Sequence, residues 1–359
     1  MRDRLDIRNH AFVAPLFEGP IDIVGDVHGE IEALQNLLRA LGYDSEGNHR
    51  DGRRLAFVGD LTDRGPDSIA VVCQVARLVQ TGRAQCVAGN HELNLLRGAA
   101  KEGNGWFMHT DHDRARGKFH SSLAANDEHR EQIGGFLRTL PLVLERPDLR
   151  VVHACWHGPS IERLRRAPEA EVIAAYRRFA MQSRDRLEAT GMVEQCERER
   201  YDFAKKLLDP DAKIPFLAGI AAVQEAKQLS NPVRAVTSGL ERPASEPFFS
   251  SGKWRMVERV LWWDHYEDDV PIIFGHYWRS PSAARPAELA RGGRDLFSGT
   301  AFCQWLGPRE NAFCVDFSVG RRFLEREAKL AVGVNTRLGA VRWPERELVF
   351  EDGLGHALS

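Results

Sequence analysis

Short apolar runs followed by polar segments rich in glycine, aspartate and histidine recur three times in the first 95 residues. The runs span 21–24, 55–58 and 86–88. Each is short and bounded by turn residues, which predicts a buried strand. After the first two motifs, apolar residues recur at helical spacing, predicting helices that end near Gly42 and run from Pro66 to Gly82. This order of strand, motif and helix predicts parallel strands joined by right-handed crossovers.

The later part of the chain alternates between helical patterns and strand signals. Residues 96–129 show neither a helical pattern nor a strand signal, which predicts a solvated, mobile loop. The loop would be placed to act as a lid over the site. The alternative is a metal cluster of His109, His112, His120 and His129. The other expected elements are helices at 131–140 and 253–263, strands at 142–145, 149–153 and 272–276, a helical tract at 160–230, and loops at 231–252 and 280–310. Closing strands are expected near 313–318, 329–334, 338–343 and 347–351, where all four would form a second, antiparallel sheet.

Composition excludes several classes of protein. The 359 residues are 43% hydrophobic and 28% charged, as in an ordinary globular chain, and the net charge of −2 disfavours nucleic acid as an obligate partner. The six cysteines form no Cys-x-x-Cys pair, and Cys73, Cys86 and Cys314 lie in apolar runs, which favours buried free thiols. No signal-peptide core precedes the first strand, and no apolar run approaches the roughly 20 residues of a bilayer span. We therefore expect a cytoplasmic protein without a membrane partner.

Polar side chains of one chemical kind follow the predicted strands, where the ligands of open α/β sheets collect. These are hard oxygen and nitrogen donors, which suit divalent ions better than a structural zinc site. Two such ions about 3.5–4 Å apart activate water and neutralise a phosphoryl group, which predicts a phosphoester hydrolase. The candidate ligands are Asp26, His28, Asp60, Asn90, His153 and His276, with His157 as the alternative to His153.

Five motifs in order give a more specific prediction. Gly-Asp-Val-His-Gly at 25–29, Gly-Asp-Leu-Thr-Asp-Arg-Gly at 59–65, Gly-Asn-His-Glu at 89–92, the strand-ending His153 and Gly-His at 275–276 resemble the calcineurin-like metallophosphoesterase superfamily. The Asp63-Arg64 pair resembles its phosphoprotein-phosphatase branch.

The fold class implied is α/β (α+β): a four-layer α/β/β/α sandwich of two mixed sheets with a helical insertion. The resemblance further implies a single domain over 1–359, with insertions at 96–130 (the loop) and 160–250 (a helical cap).

The resemblance also implies roles for individual residues. Asp26 and His28 would hold one metal, Asp60 would bridge, and the second metal would take Asn90, His153 and His276. His91 would be the general acid, oriented and kept cationic by Asp63. Arg64 would bind the phosphate together with Asn90, while Arg242 is matched loosely and is equally an ordinary surface arginine. The expected cofactors are two Mn²⁺ ions, with iron, zinc, magnesium, cobalt or nickel as alternatives.

Three functions stay open at this point. The leading one is hydrolysis of phosphomonoesters, on a phosphoprotein or a small phosphorylated metabolite, by in-line attack of metal-bound hydroxide. The sequence from Cys314 to Phe317 resembles the closing strand of bacterial members and of symmetric dinucleoside tetraphosphate hydrolases, so a dinucleoside polyphosphate hydrolase is the alternative. A non-catalytic phospho-ligand binding module is a remote third. The partner expected is a phosphorylated substrate, and the sequence leaves the oligomeric state open.

Overall fold

Two β-sheets stacked face to face form the centre of the protein. A computed structural model describes residues 12–109, 119, 122–250, 252–281 and 296–359. The strands are β1 (Val13–Pro15), β2 (Ile21–Val24), β3 (Arg54–Phe57), β4 (Ala84–Cys86), β5 (Val143–Arg146), β6 (Leu149–Val152), β7 (Glu241–Ser250), β8 (Lys253–Arg259), β9 (Ile272–Phe274), β10 (Ala312–Cys314), β11 (Gly339–Trp343), β12 (Glu347–Phe350) and β13 (Gly355–Ala357). The α-helices are α1 (Ile31–Leu41), α2 (Ser68–Gln80), α3 (Asn90–Leu96), α4 (Gly105–Met108), α5 (Asp127–Leu137), α6 (Gly158–Arg165), α7 (Val172–Glu188), α8 (Met192–Asp202), α9 (Ala218–Leu229), α10 (Pro232–Ser238) and α11 (Arg322–Glu327).

Both large sheets mix parallel and antiparallel pairs. One has the strand order β13-β12-β11-β2-β3-β4, and the other has the order β1-β5-β6-β9-β10. The motif-bearing strands β2, β3 and β4 are parallel to one another, as are β6, β9 and β10 in the second sheet. β7 and β8 form a separate antiparallel hairpin. The predicted fold class is confirmed.

Side-chain alternation along the strands divides the core into layers. Ile21 and Ile23 point between the sheets, where they share a buried cluster with Val151, Ile273 and Phe313 of the opposite sheet. Their neighbour Val24 lies in a second cluster, which packs the outer faces of the sheets against helices. Because successive residues of a strand face opposite sides, one short apolar run serves both layers.

Several boundaries agree with the sequence prediction. β2 and α1 span the expected residues, and Gly42 ends α1 in the left-handed region at φ 92°. The second helix begins two residues after Pro66, because the Asp67 side chain accepts a hydrogen bond from the Ala70 backbone N–H and caps the helix. The tract predicted as helical at 160–230 contains helices α6 to α9.

The prediction was wrong for 231–263. The expected loop contains α10 and β7, and the expected helix at 253–263 is largely strand β8. Pro243 and Pro247 disfavour a strand in the middle of a sheet, because proline has no backbone N–H to donate. However, β7 belongs to a two-stranded hairpin, where the outer edge of the strand forms no hydrogen bonds to another strand. Met256 and Val257 of β8 are buried against helix α9, so tertiary packing decided the conformation.

The closing strands also differ from the prediction. β10 pairs in parallel with β9, and β11 pairs antiparallel with β2, so they extend the two mixed sheets and form no separate antiparallel sheet. The expected strand at 329–334 is a turn region after α11, where the Glu325 carboxylate accepts backbone hydrogen bonds from Gly333 and Asn335.

The cysteines are all free, as expected, but Cys73 is exposed. Within the described part of the chain, none of the helices combines the length and the apolar character that crossing a membrane requires.

A buried carboxylate ties β2 to its surroundings. Asp22 accepts hydrogen bonds from the Tyr43 hydroxyl (2.8 Å), Arg53 Nη2 (2.9 Å) and Arg342 Nε (3.2 Å), and it is fully buried. Arg53 is itself buried and has a second, more exposed carboxylate partner in Glu345. A buried charge is tolerated here because its hydrogen bonds are satisfied.

We expect Asp22→Ala to lower the free energy of unfolding by about 3 kcal/mol, because the substitution leaves the buried Arg53 charge with a weaker counter-ion. Urea unfolding followed by circular dichroism measures this change. The matched control is Asp269→Ala, whose partner Arg309 is half exposed, and we expect a loss below about 1 kcal/mol there. Equal losses for the two variants would contradict this account of Asp22.

Candidate functional site

The carboxyl ends of parallel strands from both sheets meet at one place. β2 is followed by Asp26 and His28, and β3 is followed by Asp60. The second sheet contributes His153 after β6 and His276 after β9. Because all these strands run in the same sense within their sheets, their polar ends converge. The structure brings together all six residues predicted as metal ligands, including Asn90 at the start of α3.

Two groups of metal-type donors share Asp60. The ligand atoms of His28, Asp60 and His91 lie within 4.8 Å of one another, and so do those of Asp60, His153 and His276. Asp60 Oδ2 lies 3.8 Å from His28 Nε2 and 3.3 Å from His153 Nε2. A carboxylate common to two donor groups is the arrangement that a pair of ions needs.

The remaining two predicted ligands lie beside these groups. Asp26 Oδ2 is 4.0 Å from His28 Nε2, and Asn90 Oδ1 is 3.4 Å from His153 Nε2. Asp26 also accepts the backbone N–H of His276, with distances of 3.2 and 3.3 Å to its two oxygens. This bond links the first sheet directly to the second at the site.

The histidine rings have the orientation of metal ligands. His28 Nδ1 lies 3.0 Å from the Thr62 carbonyl oxygen, and His153 Nδ1 lies 2.7 Å from the Val58 carbonyl oxygen. Each Nδ1–H therefore donates to the backbone, so that Nε2 is the nitrogen that faces the carboxylates and would bind a metal. A backbone acceptor on the far nitrogen is the usual support of a metal-binding histidine. The residues present thus fit a pair of divalent ions.

The charges in the site favour a bound cation. Burial raises the pKa of Asp26, and the neighbouring Asp316 raises it further. Burial alone would lower the pKa of His153, but attraction to Asp60 and the other carboxylates outweighs it and raises that pKa to about 10. The cluster therefore holds a positive charge strongly, and divalent ions would satisfy the same carboxylates.

Several site residues have an unusual backbone conformation. Five of them lie in the left-handed region: His28 (φ 49°), Asp60 (48°), Asp63 (75°), Arg64 (72°) and His276 (74°). This region is costly for residues with a side chain, and such strain is concentrated at functional sites. The adjacent glycines are needed for space, since a Cβ on Gly275 would lie 2.0 Å from Asp26 Oδ1.

Glu92 holds the loop that carries Asp60. Its Oε2 accepts the backbone N–H groups of Asp60 (2.8 Å) and Gly89 (2.9 Å), and its Oε1 accepts that of Leu61 (2.9 Å). The side chain is completely buried. Glu92 thus fixes the metal-ligand loop to the first turn of α3 without being a ligand candidate itself.

His91 belongs to the first donor group and also forms a buried pair with Asp63. His91 Nδ1 is 2.5 Å from Asp63 Oδ2, and the Trp106 indole N–H donates to Asp63 Oδ1 at 2.7 Å. Arg64 Nη2 lies 3.1 Å from His91 Nε2 and Nη1 lies 3.4 Å from His28 Nε2. An imidazole, which can donate a proton, and a guanidinium group, which can bind an anion, are therefore neighbours at the site.

Trp106 departs from the solvated loop predicted for 96–129. The described part of this segment contains the one-turn helix α4, the last residue of α3 and the first residues of α5, and Trp106 is buried against the site. His109 Nε2 donates a hydrogen bond to the Ala125 carbonyl oxygen at 2.7 Å, whereas His112 and His120 lie outside the described residues. Within the described part of this segment, no three donors lie close enough to hold a metal.

Arg242 is not among the residues that the structure brings together. Its Nε lies 2.8 Å from Glu258 Oε1 on the hairpin, and its side chain is more than half exposed. Arg259, on the same hairpin, lies closer to the ligands: its guanidinium carbon is 5.3 Å from the centre of the Tyr277 ring. After burial, the Arg259 charge is the next cause that lowers the pKa of His276.

The structure distinguishes His153 from His157. His157 Nδ1 lies 2.8 Å from Ser160 Oγ at the start of α6, outside both donor groups.

Sequence reasoning missed Asp316, which follows β10 and accepts the backbone N–H groups of Trp278 (2.8 Å) and Ser318 (2.9 Å). Its position after an apolar strand, like that of Asp26, was a signal that could have found it. No comparable sequence signal pointed to Trp106.

Part of the chain matches a known family model, and that part carries most of the predicted ligands. Residues 19–183 match the family model described as calcineurin-like phosphoesterase. The predicted resemblance is confirmed. This calcineurin-like segment contains the motifs from Asp26 to His153, whereas His276 and Asp316 lie beyond it.

The curated relatives share a short stretch with the chain. It is 49% identical over 80 residues to the bis(5'-nucleosyl)-tetraphosphatase PrpE [asymmetrical] of Oceanobacillus iheyensis, which covers 21% of this chain and 32% of that protein. It is 43% identical over 79 residues to the protein of that name from Bacillus subtilis (strain 168), with 21% and 32% covered. The chain thus spans about a third of the length of the curated relatives that it matches.

Solved structures also resemble the chain at a low level. The cold-active protein-tyrosine phosphatase of a psychrophile, Shewanella sp., matches with a TM-score of 0.45 and 15% sequence identity, covering 97% of this chain and 82% of that chain. A likeness at this level carries no argument about this chain.

We expect Glu92→Ala to weaken Mn²⁺ binding roughly 10- to 100-fold, because the Asp60 loop loses the acceptor that positions it. Isothermal titration calorimetry of the metal-stripped protein measures this affinity. Glu188→Ala, which removes a surface carboxylate paired with Arg184, is the matched control and should bind as the parent does. Unchanged Mn²⁺ affinity in a folded Glu92→Ala variant would show that the loop holds its position without this side chain.

Proposed function

We propose that this chain is a two-metal phosphoesterase and that it hydrolyses a phosphoanhydride of a dinucleoside polyphosphate. The observation that carries the catalytic part is Asp60, shared between two donor groups, with the His91–Asp63 pair beside it. The calcineurin-like family match over 19–183 supports the same class of reaction.

The proposal assigns the metal ligands as Asp26, His28, Asp60, Asn90, His153 and His276. A pair of divalent ions supplies a nucleophile at neutral pH and charge neutralisation on the phosphoryl oxygens when bound. The protein's own residues do the rest. Arg64 binds the phosphoryl oxygens through its fork of donors, and His91 gives its proton to the leaving oxygen.

Asp63 and Trp106 keep the general acid in place. The Asp63 carboxylate accepts from His91 Nδ1 on one oxygen and from the Trp106 indole on the other, so the imidazole ring has a fixed orientation. That orientation directs Nε2 toward Arg64 and the donor groups. Nε2 is therefore the ring nitrogen placed to give a proton to the leaving oxygen.

The substrate class is supported by the relatives, which carry the name bis(5'-nucleosyl)-tetraphosphatase with the qualifier asymmetrical. These names favour hydrolysis of a dinucleoside polyphosphate, the alternative indicated by the closing strand, over hydrolysis of phosphomonoesters. Hydrolysis of phosphomonoesters stays the second candidate, on the motifs alone. The preference for manganese, the cytoplasmic location, and the single domain with its insertions at 96–130 and 160–250 stay predictions.

The first experiment identifies the products. Diadenosine tetraphosphate is incubated with the Mn²⁺-loaded full chain, and the nucleotides are separated by ion-exchange chromatography. We expect one ATP and one AMP per substrate consumed, since an asymmetric cut adds water across the bond between the first and second phosphates. Two ADP would indicate a symmetric cut, whereas phosphate release from a phosphopeptide without any nucleotide product would favour the second candidate.

The second experiment tests the bridging carboxylate. We expect Asp60→Asn to reduce the Mn²⁺ content, measured by elemental analysis after gel filtration, from two ions per chain to fewer than one. The reason is that both donor groups lose their shared anionic ligand. Asp269→Asn, on the surface, is the control. Two retained ions in Asp60→Asn would contradict the assignment.

The third experiment tests His91 as the general acid. His91→Asn should lower kcat about 10²- to 10⁴-fold on substrates whose leaving oxygen needs a proton. The loss should be much smaller for 4-nitrophenyl phosphate, because nitrophenolate leaves without one. An equal loss for phenyl phosphate and 4-nitrophenyl phosphate would assign His91 to binding and exclude proton donation.

A further inference from the structure

The base of the β7–β8 hairpin lies beside the second sheet's part of the site. The predicted ligands of β6 and β9 are each followed by a residue that contacts this base. The Ala154 backbone N–H donates to the Val236 carbonyl oxygen of α10, the helix that leads into the hairpin, at 2.9 Å. Tyr277 packs on the link between α10 and β7, since a Cβ on Gly239 would lie 2.1 Å from the Tyr277 hydroxyl oxygen.

One face of strand β8 carries three cationic side chains. Because successive residues of a strand point to opposite sides, Lys253, Arg255 and Arg259 lie on the same face. The register of the hairpin places Glu241 directly opposite Arg259. The guanidinium carbon of Arg259 is 5.3 Å from the centre of the Tyr277 ring, so this end of the face adjoins the site. We refer to Lys253, Arg255 and Arg259 as the cationic face.

The opposite face of the hairpin is neutralised, whereas the cationic face is not. On the opposite face, Arg242 stands across from Glu258 in the register, and its Nε lies 2.8 Å from Glu258 Oε1. Within the described part of the chain, none of the three side chains of the cationic face forms an ion pair shorter than 4.0 Å. The Arg255 side chain donates to the Ser250 carbonyl oxygen at 3.3 Å, a neutral acceptor.

Glu241 offsets only part of the positive charge. Burial raises its pKa, while the charges of Arg259, Arg234, Arg255 and Lys253 lower it, in that order of strength. One carboxylate therefore faces four cations, and the three arginines among them are half-buried. Water screens such charges less than it screens charges on an open surface. An anion with several charges would neutralise the surplus and gain charge-assisted hydrogen bonds.

The position of the cationic face indicates which part of a substrate it would meet. Arg259 lies at the base of the hairpin and Lys253 at its turn, so at about 3.3 Å per residue the face is roughly 20 Å long. The phosphoryl group to be transferred would be held at the donor groups beside Arg64. Linked phosphates extend negative charge past that group, whereas a phosphomonoester carries its charge on one phosphate.

We propose that the cationic face of the β7–β8 hairpin binds the non-reacting phosphates of the substrate and thereby selects substrates with linked phosphates. This inference rests on the proposed function and names the residues that would recognise its substrate class. The competing explanation is that these cations only keep the hairpin soluble and folded, which would leave the preference among anions unchanged.

The test compares a long anion with a short one and needs no turnover. Inorganic triphosphate and orthophosphate are titrated by isothermal calorimetry, with Mn²⁺ in excess, into the full chain carrying His91→Asn, which slows hydrolysis. Adding Arg255→Gln and Arg259→Gln together should weaken triphosphate binding roughly 10- to 100-fold, the effect of losing a charge-assisted hydrogen bond. Orthophosphate, which is held at the donor groups, should lose less than about 3-fold.

A variant with the opposite expected sign makes the test sharper. Glu241→Gln removes the carboxylate from among the cations, and we expect it to tighten triphosphate binding by about 2- to 5-fold. The matched control is Arg242→Gln, which removes an arginine from the opposite face of the same hairpin and should leave both affinities unchanged.

A charge-preserving variant separates binding from folding. Arg255→Lys and Arg259→Lys together keep both charges and should retain most of the triphosphate affinity that the two glutamine substitutions remove. Equal losses of triphosphate and orthophosphate affinity in the glutamine variant would overturn the inference. Weaker triphosphate binding in Glu241→Gln, or no triphosphate binding in the starting chain, would overturn it as well.

The outcomes also separate this inference from the proposed function. If triphosphate affinity depends on the cationic face but diadenosine tetraphosphate is not cleaved, the proposed substrate is wrong while the inference stands. If diadenosine tetraphosphate is cleaved and the glutamine variant binds triphosphate as tightly as the starting chain does, the proposed function stands and the inference is overturned.

Discussion

The organisation of this protein depends on the crowding of buried carboxylates where two sheets meet. Asp26, Asp60 and Asp316 are all buried in one site, and burial together with mutual repulsion raises the pKa of Asp26. Such an arrangement is stable only when positive charge compensates it. Although burial lowers the pKa of His153, attraction to Asp60 and the other carboxylates raises it, which is one sign of this demand. Divalent ions would satisfy the demand and supply the chemistry at the same time.

The site needs both sheets, because neither sheet alone carries all of the donor residues. The first sheet contributes Asp26 and Asp60, and the second contributes His153 and His276. The calcineurin-like segment at 19–183 includes the first sheet's motif strands and β6, while β9 and β10 come from beyond it. His276 and the buried Asp316 lie in that later part. The site is thus built from two different stretches of one chain.

The strained backbone and the supporting side chains explain how donors from separate strands can keep one geometry. A residue such as Asp60, held at φ 48°, needs external support, and the buried Glu92 carboxylate provides it through two backbone N–H groups of the same loop. Trp106 plays the corresponding part for the His91–Asp63 pair. Both supports are buried, and neither is among the predicted metal ligands.

The sequence by itself determined the elements whose signals are local. Apolar runs and glycine-bounded motifs predicted β2, α1 and the ordered donors from Asp26 to His276. These features can be predicted because hydrophobic periodicity, and polar residues that follow an apolar run, depend only on residues close together in the chain. Only the tertiary structure decided the β7–β8 hairpin, the exclusion of Arg242, and the recruitment of Asp316 and Trp106. The physical reason is that these depend on contacts between residues far apart in the chain, where packing and buried charge override local preference.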